Sequence, residues 1–476
     1  LRRRSRTETI ASRADPRDEI GRFPVADAAA IGAAVARARA AFPAWRDTGL
    51  EARARLLLRF AALAREREEA LARLIAREVG KAIWDARAEA RLVAAKVETT
   101  LEHGLRLVAT SDGGAGARAT FHPRGVLAVI GPFNFPAHLP NGHLVPALAT
   151  GNTVVFKPSD LAPAVGAWLG ALFVEAGLPP GAVEVVQGRG PAGRALALHP
   201  DVDGVLFTGS FAVGRDLQLS TIDLPGRLLA LELGGKNAMI VCADADLPQA
   251  VAEAAVSIAA STGQRCSSLS RLFVARPIQE AFQERLVKVL SGLRIGAPLA
   301  EDTFMGPLVS KAAHEKLERF RAGARAAGGE IVLRVDPGAP PPFAGPGLVR
   351  FPGLSQSHPY QREEIFGPEA ALYGFDDLDA AIDAANDSDY GLVAAVMSRS
   401  RASYEQALGR LRVGVLNWNR GTIGASGRLP FGGLKRSGND RPAGIFSTFY
   451  CTFPQAHLES EAGFDPTTLP PGVPRP

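Results

Sequence analysis

Two side chains in this sequence have the type and setting for covalent work on an electrophilic carbon. Cys266 lies in residues 261–268 (STGQRCSS), among small and polar neighbours. A thiol of ordinary pKa is only a few per cent ionised at neutral pH, so a nucleophilic cysteine needs a cation or a helix end nearby. Arg265 is the neighbour that could serve. Glu232 lies in residues 231–237 (LELGGKN), at the end of an apolar run and before two glycines. A carboxyl group in such surroundings has a raised pKa and suits a general base. Each has an ordinary reading as well. A lone cysteine is more often a buried structural residue, and a lone glutamate more often a paired or solvated acid.

Further candidates follow apolar, strand-like runs. Residues 125–130 (GVLAVI) lead into GPFNFP, where the Asn134 amide could donate to a developing oxyanion. An asparagine in a Pro-flanked turn also commonly just bonds backbone. Residues 152–157 (NTVVFK) lead into KPSD, which places Lys157 and Asp160 where both could reach a ribose. An acid there favours NAD over NADP, because it repels the extra phosphate. Residues 204–207 lead into FTGSFAVG, where Gly209, Ser210 and Gly214 form a strand-to-helix turn able to cradle a pyrophosphate. The scattered histidines show no metal-ligand spacing, and His138 and His143 read as packing or site lining.

These motifs need a scaffold. At 476 residues the chain implies two or three domains. With 46% hydrophobic and 22% charged residues it has the composition of a soluble globular protein. Three cysteines exclude a disulfide framework and point to a reducing compartment, the cytoplasm. The net charge of +5 raises nucleic acid as a partner, but Arg alternates with Glu and Ala along helical stretches, with no basic block among aromatics. The basic opening LRRRSR lacks the apolar run of a secretory signal, and no run is long enough for a membrane span. Asp27 predicts a helix N-cap, with Pro43 interrupting the helix and Trp45 plugging the core. Long helices are predicted over 51–78 and 83–107, and a flexible break over 111–120. Continuous apolar runs at 125–130, 152–157, 183–186 and 204–207, and again at 237–241, 272–274, 369–373, 392–397 and 414–417, alternate with helical segments at 248–260, 278–292, 377–386 and 401–411. This is the pattern of open parallel α/β sheets, with ligands at the carboxyl ends of the strands.

The motifs GPFNFP, FKPSD, FTGS, LELGGK, GQRC, EEIFGP and PFGGLKRSG occur in the order found in the aldehyde dehydrogenase superfamily, which the chain resembles to about residue 455. The resemblance implies two open Rossmann-like parallel sheet domains plus a small β oligomerisation flap. The NAD-binding domain would span 1–111 and 125–231, the catalytic domain 232–442, the flap 112–124 and 443–459, and a Pro-rich tail 460–476. It implies Cys266 as nucleophile, Glu232 as base and Asn134 as oxyanion donor. Lys157 and Asp160 would hold the ribose of NAD, residues 209–214 (with Phe211, Ala212 and Val213) its phosphates, and Glu364 and Phe366 its nicotinamide end. The implied reaction proceeds through a thiohemiacetal and a thioester, which water then hydrolyses. Residues 134–148, 417–426 and 437–442 resemble a branch that oxidises a polyanionic semialdehyde from arginine breakdown, which makes Arg420 and Arg265 candidate substrate cations. Phe133, Asp160, Lys236 and Asp440 depart from the residues usual there. A homodimer or homotetramer is expected, with no nucleic-acid or membrane partner. A relative acting on another semialdehyde, a CoA-acylating enzyme and a non-enzymatic relative are the alternatives. Retention of Glu232 argues against the second, and retention of Cys266, Glu232 and Asn134 against the third.

Overall fold

In a computed structural model, residues 7–475 are described apart from Ala115, Gln356, Glu461, Ala462 and Phe464. The basic opening at 1–6 therefore lies outside the described residues. Two parallel sheets form the bulk of the chain. The first has spatial order Val183–Val185, Thr153–Lys157, Val126–Ile130, Gly204–Thr208, Leu228–Glu232, all parallel. Its inner strands are buried at every position and mostly apolar, because both faces are covered. Leu127 and Val129 pack beneath the helices that carry Leu57, Phe60 and Phe173, while Val126 and Ala128 pack against Ile31 and Val35. The chain builds outward from Val126–Ile130 to one side, then crosses back to Gly204–Thr208. The crevice between the carboxyl ends of those two strands is thus the switch point where open sheets take ligands.

The second sheet has seven strands, in the order Glu330–Arg334, Gly347–Arg350, Glu369–Phe375, Leu269–Ala275, Asn237–Val241, Val393–Met397, Val415–Trp418. All pairings are parallel except the first. Helices Leu247–Ala259 and Arg276–Ser291 cover one face; Lys311–Ala326, Leu378–Asn386 and Arg401–Arg410 cover the other. Apart from these, Ser111–Gly114, Ala117–Pro123 and Thr452–Leu458 make a three-stranded antiparallel sheet. No described helix is long and apolar enough to cross a membrane.

Several elements differ from expectation. Pro43 does not interrupt its helix, which runs Ala28–Asp47 from the Asp27 cap. Proline forfeits only the bond to the Arg39 carbonyl, and fully buried Val35, Ala38 and Trp45 hold the helix against the sheet regardless. The helix expected over 51–78 is two, Leu50–Glu66 and Glu68–Val79, parted at Arg67 (φ −109°, ψ 21°). The flexible break expected over 111–120 instead contains strand Ser111–Gly114 and the start of strand Ala117–Pro123, which pair with each other, and Thr452–Leu458 returns from far along the chain to pair with the second. Thr7–Ala11 pairs antiparallel with Glu19–Pro24 as a hairpin ahead of the first helix.

One buried amide ties the first sheet to the small one. Asn152 Oδ1 accepts from the Arg124 and Gly125 N–H groups, and its Nδ2 lies within donating distance of the Ala147 and Cys451 carbonyls. Removing it leaves several buried groups unpaired, at about 1–3 kcal/mol each. Asn152→Ala is expected to lower the thermal midpoint by several degrees; an unchanged midpoint in a melting experiment contradicts this account.

Candidate active site

The Cys266 loop is held in a costly backbone shape. Ser261, Thr262 and Gly263 all have positive φ (52°, 57° and 67°), which costs a non-glycine residue roughly 1–2 kcal/mol. The surroundings enforce it. Ser261 Oγ donates to Asp85 at 2.6 Å, Thr262 Oγ1 to the Gly306 carbonyl at 2.9 Å, and the Val309 N–H to Gln264 Oε1 at 3.0 Å. A Cβ on Gly263 would lie 2.2 Å from the Gly367 backbone, so only glycine lets the loops meet. Beyond the cysteine, Asn237 Nδ2 donates to the Cys266 and Ser268 carbonyls at 2.7 and 2.8 Å, while its Oδ1 accepts from the Val393 N–H.

Cys266 opens onto a pocket that Glu232 also lines, with Phe135, His138, Leu139, His143, Arg265 and Phe431 among the walls. Glu232 ends strand Leu228–Glu232. Its Oε1 accepts from the Ala443 N–H at 3.1 Å, while its buried Oε2 has no partner among the described residues. Burial raises its pKa well above the carboxylate range, as a base requires. Asn134 is buried beside the loop and shares a small cavity with Ser261 and Gln264. Glu364 Oε1 accepts from the Gly235 N–H at 2.9 Å, and a Cβ on Gly234 would collide with that carboxylate. Phe366 takes φ +59° and meets Phe133 edge-on. The expectation that Arg265 would lower the thiol pKa is not met. Burial, Glu364 and Glu232 push Cys266 up to about 12 and outweigh Arg265. A further correction concerns placement. Asn134, Lys157, residues 209–214 and Glu232 do lie at carboxyl ends of the first sheet. Cys266, Glu364 and Phe366 instead precede strands Leu269–Ala275 and Glu369–Phe375, at amino ends of the second.

Arg265 lines the pocket, but its charge is already met. It donates to Asp85 at 2.7 Å and to Ser261 Oγ at 2.9 Å, and lies over the Phe135 ring. Burial alone would raise the Asp85 pKa, but Lys81, Arg265 and Ser261 outweigh it and hold the group ionised. One turn on, Glu89 accepts from the Ala137 and His138 N–H groups and pairs with Lys81, whose ammonium sits 3.6 Å from the Phe135 ring centroid. Thus one helix, Ile83–Glu102, grips both the cysteine loop and the Asn134 turn. Arg420 is exposed and does not line the pocket. Its neighbours are bonded inward, Asn419 to Ser398 and the Gly421 N–H to Glu253, which leaves Arg420 at the surface. Lys81, Asp85, Glu89 and Asn237 were not singled out from sequence. Asn237 adjoins LELGGK and could have been; the other three lie far from the cysteine along the chain.

The residues expected to hold a dinucleotide fit one. Ser210 caps helix Phe211–Ser220 at the switch point, with Ala212 and Val213 exposed on its first turn. Lys157 is buried and donates to the Pro158 carbonyl at 2.7 Å, which occupies one of its three protons. Asp160 lies close enough to act on the Lys157 charge. Free helix N–H groups, a spare ammonium and a carboxylate match a pyrophosphate and a ribose diol.

A strained cysteine loop, a buried carboxylate with one oxygen unpartnered among the described residues, and a turn of the first sheet that fits a dinucleotide together fit an oxidoreductase of the cysteine-dependent kind. The aldehyde dehydrogenase family profile matches residues 3–453, and the chain belongs to that family. It is 41% identical over 474 residues to N-succinylglutamate 5-semialdehyde dehydrogenase of Serratia proteamaculans (strain 568), covering 97% of this chain and 95% of the relative. It is 42% identical over 458 residues to the enzyme of the same name from Chromobacterium violaceum, covering 94% and 93%. An NAD-dependent aldehyde dehydrogenase from Sinorhizobium meliloti superposes with a TM-score of 0.90 at 33% identity, over 96% of this chain and 93% of that one.

If Asp85 positions the nucleophile through Arg265, Asp85→Asn and Arg265→Met should each lower kcat/KM at least tenfold and change the rate of Cys266 alkylation. The double variant should then be little worse than either. Losses that multiply in the double variant contradict the coupling.

Proposed function

We propose that the protein oxidises N-succinyl-L-glutamate 5-semialdehyde to N-succinyl-L-glutamate with NAD, in arginine breakdown. The observation that carries this reading is that Cys266 and Glu232, whose Oε2 has no partner among the described residues, line one pocket beside a turn that fits a dinucleotide. The named relatives, at 41% and 42% identity over nearly the whole chain, support the choice of aldehyde. Cys266 Sγ attacks the aldehyde carbon, and the Asn134 amide with the Cys266 N–H bears the oxyanion. Bound in the cradle, the dinucleotide supplies the hydride acceptor. Glu232 then takes a proton from water, which cleaves the thioester and frees the thiolate. Lys157 holds the ribose, and Asp160 disfavours a 2′-phosphate. Glu364 and Phe366 orient the nicotinamide end.

The pH dependence follows from the two raised pKa values. Glu232 serves as a base only when ionised, so thioester hydrolysis rises with pH through its raised pKa and fails below it. The thiolate fraction of Cys266 climbs over the same direction. Cys266→Ala should abolish NADH formation while NAD still binds. Glu232→Gln should keep the first-turnover NADH burst, cut steady turnover about 100-fold and remove the hydrolytic part of the pH rise. A burst lost in proportion to turnover contradicts the role. The aldehyde is tested by NADH production from N-succinylglutamate semialdehyde, succinate semialdehyde, glutamate semialdehyde and a neutral aliphatic aldehyde. Preference for another member of that panel overturns the substrate.

Assembly is part of the proposal. Thr452–Leu458 pairs on one side with Ala117–Pro123 and presents its other edge, with Phe453 and Leu458 exposed. An open apolar edge is a template for pairing between subunits. Sedimentation should show a dimer or tetramer; a monomer at micromolar concentration refutes it.

A further inference from the structure

Lys96 is a buried cation for which the described residues provide no paired carboxylate. It lies on helix Ile83–Glu102, is 6% exposed, and lines the same pocket as Cys266 and Glu232. Its Nζ donates to the Gly444 carbonyl at 2.7 Å, and it makes no ion pair among the described residues. Leu92, Phe135, Leu139 and Phe431 make much of the surrounding wall apolar. Moving an ammonium into such a place without a carboxylate is costly, and burial pushes Lys96 down to about 8.

The neighbours do not relieve the charge. His138 and His143 line the same pocket and are held neutral, at about 4 and about 3, by burial and by Lys96. His143 is committed to Tyr450 at 2.7 Å. The Nδ1 of His138 is buried and has no partner among the described residues. Arg265, the other cation of the pocket, is neutralised by Asp85. Lys96 therefore has two of its three protons uncommitted in a pocket that His138, whose Nδ1 also lacks a partner among the described residues, helps to line.

We propose that Lys96, assisted by His138, binds a carboxylate of the substrate and so selects acid-bearing aldehydes over neutral ones. The missing counter-ion arrives with the ligand, and the ammonium that is costly in the empty pocket becomes one half of a desolvated pair. This rests on the acidic semialdehyde reading above and assigns its recognition to a residue that the sequence motifs did not mark.

The experiment compares kcat/KM for N-succinylglutamate semialdehyde with that for a neutral aliphatic aldehyde. Lys96→Gln can still donate to Gly444 but carries no charge, so the acid-to-neutral ratio should fall about 50-fold, and Lys96→Arg should restore it to within about threefold. Leu92 is partly exposed one turn before Lys96 on the same helix and lines the pocket. Leu92→Glu supplies an internal counter-ion at i, i+4 and should lower the ratio at least tenfold without emptying a buried site. A role for Lys96 confined to holding Gly444 predicts equal losses for both aldehydes in Lys96→Gln and no change of ratio in Leu92→Glu. That result overturns the proposal. Wild-type enzyme with no preference for acidic aldehydes would instead overturn the substrate reading on which it rests.

Discussion

The site depends on two carboxylates one helical turn apart. Asp85 and Glu89 project from helix Ile83–Glu102 into the interface between the two parallel sheets, where each meets a cation and a loop. Asp85 orders the strained turn before Cys266 through Ser261 and Arg265; Glu89 orders the turn that carries Asn134 through two backbone N–H groups. A buried carboxylate with unfilled lone pairs is costly, and those of Asp85 and Glu89 are met by the very backbone and side chains whose positions matter. Spacing along one helix sets the distance between nucleophile loop and amide loop. That spacing is more rigid than any direct contact between the loops could be.

The electrostatics are arranged against early ionisation of the thiol. Glu232 and Glu364 lie close enough to oppose a thiolate, and the nearest cation is already paired. A free enzyme built this way keeps its sulfur largely protonated and less exposed to oxidation. Reactivity then depends on what enters the pocket and the cradle, which couples attack to the presence of the reaction's partners.

The first sheet was largely legible in the sequence. Its buried strands are short uninterrupted apolar runs, and the motifs at their carboxyl ends were assigned to the elements that carry them. Cys266, Glu232 and the capping Ser210 could be found because each adjoins a recognisable turn. What could not be read was pairing across distance. Thr452–Leu458 pairs with Ala117–Pro123, which in turn pairs with the glycine-rich Ser111–Gly114, and nothing local announces the distant partner. Asp85, Glu89 and Lys96 look like surface charges on an Arg- and Glu-rich amphipathic helix, and Lys81 like one just before it, because helical periodicity does not distinguish a face toward water from one toward a second sheet. Arg420 misled for the opposite reason. A cation in a distinctive motif suggested a ligand, whereas the asparagine and glycine beside it make the inward contacts.

The left-handed run at Ser261–Gly263 has a consequence for what any piece of the chain could do. Its shape is imposed by Asp85, Gly306, Val309, Gly367 and Asn237, drawn from across more than half of the sequence. A fragment that ends before residue 300 would keep Cys266 but lose three of those restraints, and its backbone would relax to ordinary geometry. The setting of Cys266 is therefore a property of the completed chain. A nascent or clipped form carries a thiol with no special setting, so chemistry appears only once the last of the distant segments has docked.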